Sequence, residues 1–191
     1  MVDSSVVLNG QTIAYTAYTI AIMSVMAWFA VAVTKKALPA GRQGKGTIVK
    51  PALFYTWVGF LVVLGVSLHI ATAQTIPWKH MDLNRREITP DKVFDITVGN
   101  HKFNLPSEKL LIDVNDKVMF NVTSSDLTYG FGLFREDNSM LFQMQVVPGH
   151  MNDVMWQFVK PGVYSIRSTE YSGPAGTQMI EKDVVVVTAI E

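Results

Sequence analysis

The chain has 191 residues, no cysteine, and 16 basic residues against 16 acidic ones, for a formal net charge of +0. The missing thiols exclude disulfides, thiolate metal centres and cysteine nucleophiles. The charge is unevenly spread, and the acidic residues outnumber the basic ones after residue 75, which does not suggest nucleic acid. Length allows one domain plus an anchor, and a hydrophobic share of 49% is high for a soluble protein.

Residues 13–33 (IAYTAYTIAIMSVMAWFAVAV) and 53–73 (LFYTWVGFLVVLGVSLHIATA) contain no Asp, Glu, Lys or Arg. Each run has about the 20 residues a helix needs to cross the hydrocarbon core. They predict a two-helix transmembrane hairpin within an anchor over 1–75. A cleaved signal peptide fits the first run badly, because no basic segment precedes it and the apolar stretch is too long. Between the runs, Lys35, Lys36, Arg42, Lys45 and Lys50 meet no acid. Positive-inside bias puts this loop in the cytoplasm and both termini outside. Gly41, Gly44 and Gly46 make it flexible. Pro51 opens the second helix, where its missing N–H costs nothing. His69 falls near the outer end of the second span. It reads as a polar group facing a partner helix or the interface, and as an intramembrane ionisable residue it is also a functional candidate.

Residues 76–92 are polar, charged and bounded by proline, and predict a connector. Trp78 suits the interfacial aromatic belt, with Lys79 and His80 beside it at the membrane edge. From 93 to 191 the pattern becomes short β-rich runs with turn punctuation, at 93–98, 110–114, 117–123, 140–147, 154–159, 163–168 and 183–189. So many short strands predict an all-β sandwich or Greek-key barrel, without an intervening helix. Met119, Met140, Met144, Met151, Met155 and Met179 read as adaptable core filling, with Met140 and Met144 sharing a core face with Phe142. A methionine-rich copper-handling surface is the competing reading. Asn121-Val122-Thr123 is a glycosylation sequon inside a predicted strand.

Several segments, in order, carry a family resemblance. They are Leu127-Thr128-Tyr129-Gly130-Phe131, then Gln145-Val146-Val147-Pro148-Gly149, then Pro161-Gly162-Val163-Tyr164 running into the loop from Ser168 to Met179. Behind a membrane hairpin they resemble heme-copper oxidase subunit II, across nearly the whole chain. The resemblance implies a cupredoxin-like Greek-key sandwich held outside the membrane. In that family the last loop reads Cys-x-(Glu/Gln)-x-Cys-x3-His-x2-Met and holds a copper pair. Here Ser168 and Ser172 stand at the cysteine positions, Gly176 at the histidine, and Tyr129 at the first copper histidine. Met179 remains, and Glu170 holds the place that supplies a backbone carbonyl. Thiolates and other soft ligands select copper, so the resemblance implies a degenerate site that holds no metal.

Lost copper ligands mark the quinol-oxidising members of the superfamily. The implied role is a non-catalytic docking subunit over a heme-bearing large membrane subunit (subunit I), alone or with further small subunits. No cofactor is expected in this chain. Heme and copper are expected in the partner, and quinol from the membrane lipid is the substrate of the complex. The implied location is the cytoplasmic (inner) membrane of a prokaryote, with the C-terminal domain on the outer side. The helices would bury a polar face of Thr16, Ser24, Thr56 and Ser67 with His69. Trp78, Lys79 and His80 lie at the depth of quinol headgroups and heme propionates, where they could contact them or simply anchor the interface. A related nitric oxide reductase with a copper-free subunit II is the sister reading. From other classes come a stand-alone membrane-tethered copper-binding cupredoxin and an adhesion-type sandwich. His69, His80, His101 and His150 show no metal-ligand pairing, and His101 sits beside a predicted turn. Ser168 and Ser172 lie in no Gly-x-Ser-x-Gly elbow, which argues against a hydrolase. Glu170 reads as a loop carboxylate satisfied by nearby N–H groups.

Overall fold

A computed structural model describes residues 4–36 and 50–189. The chain forms two compact units, one over Val6–Ile76 and the other over Pro77–Glu191 with the first five residues.

The first unit holds α1 (Ser4–Lys36) and α2 (Pro51–Thr75). At 1.5 Å per residue these are about 50 and 38 Å long, more than the ~30 Å hydrocarbon core. Both contain stretches long and apolar enough to cross a membrane, Ser4–Val31 and Ala52–Thr75. α1 starts nine residues before the expected run, because the helix continues through Asn9 and Gly10, which weaken it without ending it. Hydroxyls inside the helices turn back on the preceding turn. Thr12 Oγ1 donates to the Leu8 carbonyl at 2.9 Å, Thr16 to Thr12 at 2.8 Å, and Ser24 to Ile20 at 2.8 Å. These bonds give each hydroxyl an acceptor within its own helix. Pro51 opens α2 as expected. Lys35 and Lys36 close α1, whereas Arg42, Lys45 and the glycines Gly41, Gly44 and Gly46 lie outside the described residues.

The expectation of a single polar face on α2 needs correction. Thr56 and Ser67 are eleven residues apart, which on a helix places them within about 20° of each other. His69 follows Ser67 by two residues, about 200° round the axis. It therefore stands on the opposite face from the two hydroxyls.

In the second unit a short helix, α3 (Lys79–Leu83), lies inside the expected connector. Nine strands follow: β1 (Lys92–Gly99), β2 (Lys102–Asn104), β3 (Leu110–Asp113), β4 (Lys117–Ser124), β5 (Tyr129–Arg135), β6 (Met140–Val146), β7 (Asn152–Gln157), β8 (Gly162–Arg167) and β9 (Ile180–Thr188). They make a sandwich of a four-stranded sheet, ordered β2-β1-β4-β7, and a five-stranded sheet, ordered β3-β9-β8-β5-β6. β1 with β4 and β3 with β9 are parallel; the other pairs are antiparallel. Two apolar helices ahead of an all-β sandwich is the expected fold class.

Period-2 patterning decides the core. Val118, Phe120 and Val122 of β4 are fully buried while Lys117, Met119 and Asn121 between them are not. Phe120 is the hub. Its ring lies 5.8 Å from Phe94, 5.7 Å from Phe131, 5.7 Å from Phe142 and 6.4 Å from Phe158. These contacts join the two sheets, since Phe131 and Phe142 belong to the five-stranded one. The methionines divide. Met155 and Met179 are buried, but Met140 is 42% and Met151 79% exposed. Met140 stands at the end of the edge strand β6 and is exposed, so core filling does not describe it.

Three strands depart from the expected runs, and β5 is one that no run covers. β2 is only three residues long, too short to show a period. β9 begins at Ile180 rather than 183 because a register shift between Tyr164 and Ile166 interrupts its pairing with β8. Asp183 sits at that irregularity with φ 56, and its N–H donates to Ser165 Oγ at 3.1 Å. A 3-10 turn over Pro174–Gln178 precedes β9. The connector is more than a tether. Trp78 packs on Trp156 of β7 with ring centres 5.7 Å apart. Arg85 Nε donates to Asp153 Oδ2 at 3.0 Å.

Candidate functional site

Strand directions gather four loops at one end of the sandwich: residues 99–101, 124–128, 147–151 and 168–179. All the degenerate ligand positions lie here. Tyr129 opens β5 and is 0% exposed. Its hydroxyl donates to Asp126 Oδ2 at 3.1 Å and accepts the His101 backbone N–H at 3.2 Å. Burial, the larger cause, and the Asp126 carboxylate hold the Tyr129 phenol above its ordinary pKa. Asp126 also accepts the N–H groups of Asn100 and Leu127, each at 2.8 Å. The Asn100 bond leads in holding its carboxyl below the usual range.

The 168–179 loop rests directly on β5. The Gly130 N–H donates to Ser168 Oγ at 3.3 Å, and that hydroxyl donates to the Glu170 carbonyl at 3.3 Å. The Ser168 N–H reaches the Met179 carbonyl at 3.1 Å. A Cβ on Gly130 would lie 2.2 Å from Thr169 Oγ1 and 2.4 Å from the Thr169 nitrogen, so only glycine permits this approach. Gly176 is buried in the 3-10 turn, and a Cβ there would lie 2.4 Å from Ser172 Oγ. The Met179 side chain is buried in the core. The Glu170 side chain is exposed.

Sequence reasoning missed His101 and Asp126. His101 Nε2 lies 2.7 Å from the Ser172 carbonyl. A carbonyl only accepts, so Nε2 carries the proton in this bond. The imidazole also meets the Tyr129 ring edge-on, with centres 5.7 Å apart. The sequence marks only a turn after the 93–98 run, and nothing in it points to what the His101 side chain reaches.

The other candidates lie elsewhere. His69 is on α2, where Nδ1–H donates to the Gly65 carbonyl at 3.1 Å. Lys79 and His80 are exposed on α3, and Trp78 is half-buried against the core. His150 is exposed on the 147–151 loop. Among the described residues, no group of three or more His, Asp or Glu side chains could hold a metal ion.

Ser172 Oγ is buried and has no hydrogen-bond partner among the described residues. Burying an unmet hydroxyl costs about 1–3 kcal/mol. Ser172→Ala is therefore expected to raise stability by about 1 kcal/mol, where most serine truncations in a packed loop lower it. Denaturant unfolding of the full chain in detergent checks this, and a loss of stability would mean the hydroxyl has a partner.

No protein-family model matches the chain, and no curated protein matches it either. Solved structures do. The periplasmic domain of subunit II of cytochrome oxidase (CoxB) of Bradyrhizobium japonicum is 16% identical, covering 55% of this chain and 87% of its own, with a TM-score of 0.40. A chain of a heme-copper terminal oxidase dimer is 18% identical over 92% of this chain and 99% of its own, with a TM-score of 0.40. Auracyanin B is 13% identical over 55% and 92% respectively, with a TM-score of 0.42.

Proposed function

We propose that this chain is a copper-free subunit II of a respiratory heme-copper terminal oxidase, of the quinol-oxidising kind. Its role is docking and structural, over a heme-bearing large subunit. The observation that carries the reading is the chemistry of the loop end. The degenerate ligand positions fall together there, and their side chains are the wrong donors for a copper pair.

Such a pair is bridged by two thiolates and completed by imidazoles, a thioether and a carbonyl. Ser168 and Ser172 offer hydroxyls, which do not ionise near neutral pH and do not bridge copper as thiolates do. The Tyr129 hydroxyl is engaged with Asp126, and the Glu170 carbonyl accepts the Ser168 hydroxyl. Gly176 has no donor side chain. The residues present do not fit the metal pair, so no electron path is drawn through this unit. Reducing equivalents would arrive as quinol in the lipid phase and pass to heme in the partner, which also holds the site where oxygen is reduced. A partner that reduces nitric oxide would use this subunit in the same way, since the acceptor is chosen in the other chain.

The helices support an anchoring role in the cytoplasmic membrane of a prokaryote, with the sandwich outside. Basic residues crowd the connection between them, which favours the cytoplasmic side. Two opposed polar faces on α2 suit contact on both sides, with the large subunit and with α1 or a further subunit. The test is purification of the tagged chain from native membranes in mild detergent. Heme absorbance should co-elute, and the preparation should oxidise quinol without reduced cytochrome c. A chain that elutes free of heme would defeat the oxidase reading. Retention of about one copper per chain after dialysis, with no heme, would favour the copper-carrier alternative.

A further inference from the structure

Asn100 and His101 form the two-residue turn between β1 and β2, flanked by the paired residues Gly99 and Lys102. Both are left-handed, with φ of 51 and 59. Asparagine tolerates this conformation and glycine prefers it, whereas most L side chains adopt it only under strain. Histidine is among the non-glycine residues that enter this region, although glycine suits the second position better. What sets this histidine apart is the reach of its side chain. Its Nε2–H donates across the end of the sandwich to the Ser172 carbonyl at 2.7 Å. That bond links a turn of the four-stranded sheet to the loop between two strands of the five-stranded one. The ring edge presses on Tyr129, and the His101 N–H secures the Tyr129 hydroxyl at 3.2 Å.

We propose that His101 is a latch that holds the 168–173 loop closed over Tyr129 and Gly130. It is a positioning residue, and it stands on the outer unit alone, whether or not the proposed function is right. The closed loop keeps the Tyr129 phenol fully buried beside Asp126 and keeps Ser172 Oγ inside the loop. It also fixes the outward tip of the loop, where the Tyr171 side chain is 82% exposed. Without the latch, the Gly130 to Ser168 bond remains on one side of the loop, but the Ser172 end loses its tie to the facing sheet.

Two variants of the full chain in detergent separate a latch from an incidental turn residue. His101→Gly removes the imidazole and relieves the turn. His101→Asn keeps a residue suited to the turn but too short to reach Ser172. Hydrogen exchange followed by mass spectrometry should show faster exchange in the 168–179 segment for both, whose Ser168, Gly176 and Met179 amides are hydrogen-bonded, by about tenfold, the scale of one lost buried hydrogen bond. The amides of Lys102 and Phe103 in β2 should stay as protected as before. Unchanged exchange in the loop in either variant would overturn the proposal. So would a uniform rise over every strand, because the residue would then support the fold as a whole rather than the loop.

Discussion

Phe120→Ala should destabilise the sandwich by about 4 kcal/mol, the middle of the range for a buried aromatic truncation. Phe120 is 0% exposed and touches four other aromatic rings. Two of those rings, Phe131 and Phe142, come from the facing sheet. Truncation opens a cavity where the sheets meet, and β-strand backbones pinned by hydrogen bonds cannot collapse to fill it. The four ring contacts are lost together with the buried area, and their loss is part of that total. Urea unfolding of the full chain, followed by tryptophan fluorescence, measures the change. Trp156 is a suitable reporter because its ring lies 5.4 Å from Phe142. A loss under about 1 kcal/mol would mean that Phe120 is no hub.

Gly130→Ala should cost about 3 kcal/mol, at the high end for overpacking. The new methyl would meet Thr169 Oγ1 at 2.2 Å, the Thr169 nitrogen at 2.4 Å and the Glu170 nitrogen at 2.6 Å. Two of these atoms are backbone, so no rotamer change relieves the contact. The loop must lift off β5 and give up the Gly130 to Ser168 bond. Gly176→Ala is the informative control. Its methyl meets only the Ser172 side chain within 3.0 Å, which can rotate away, so the loss should be much smaller. Equal losses at the two glycines would show that the loop is not seated on Gly130.

Phe120 and Gly130 also differ in how legible they are in the sequence. Phe120 lies in Lys117-Val118-Met119-Phe120-Asn121-Val122-Thr123, whose alternation is by itself the signature of a half-buried strand. The apolar runs of α1 and α2 are equally plain, because length and the absence of charge are enough. β2 was hidden because three residues carry no period, and the start of β9 because the irregularity at Asp183 breaks its alternation. The degenerate ligand positions were readable only through motif order, and the strand directions do bring them to one end. His101 was not readable from its neighbours. Its partner Ser172 is 71 residues away, and a turn position says nothing of what the side chain reaches. Gly130 reads as an ordinary strand residue, because its requirement comes from the 168–179 loop that lies against it in space.

The site is a fold end built around hydrogen bonds. Asp126, Tyr129, His101 and the Ser172 carbonyl form one connected set. Gly130, Ser168 and the Glu170 carbonyl form another. The hydroxyls of Tyr129 and Ser168 are both used inside the protein, which sets the unmet Ser172 Oγ apart.

Metal and heme analysis of the intact complex, isolated from native membranes through this chain, bears most directly on the account. Heme should be present with the partner subunit, no mixed-valence copper signal should appear, and this chain should retain no copper once separated. Stoichiometric copper held between Tyr129 and Met179 would contradict it.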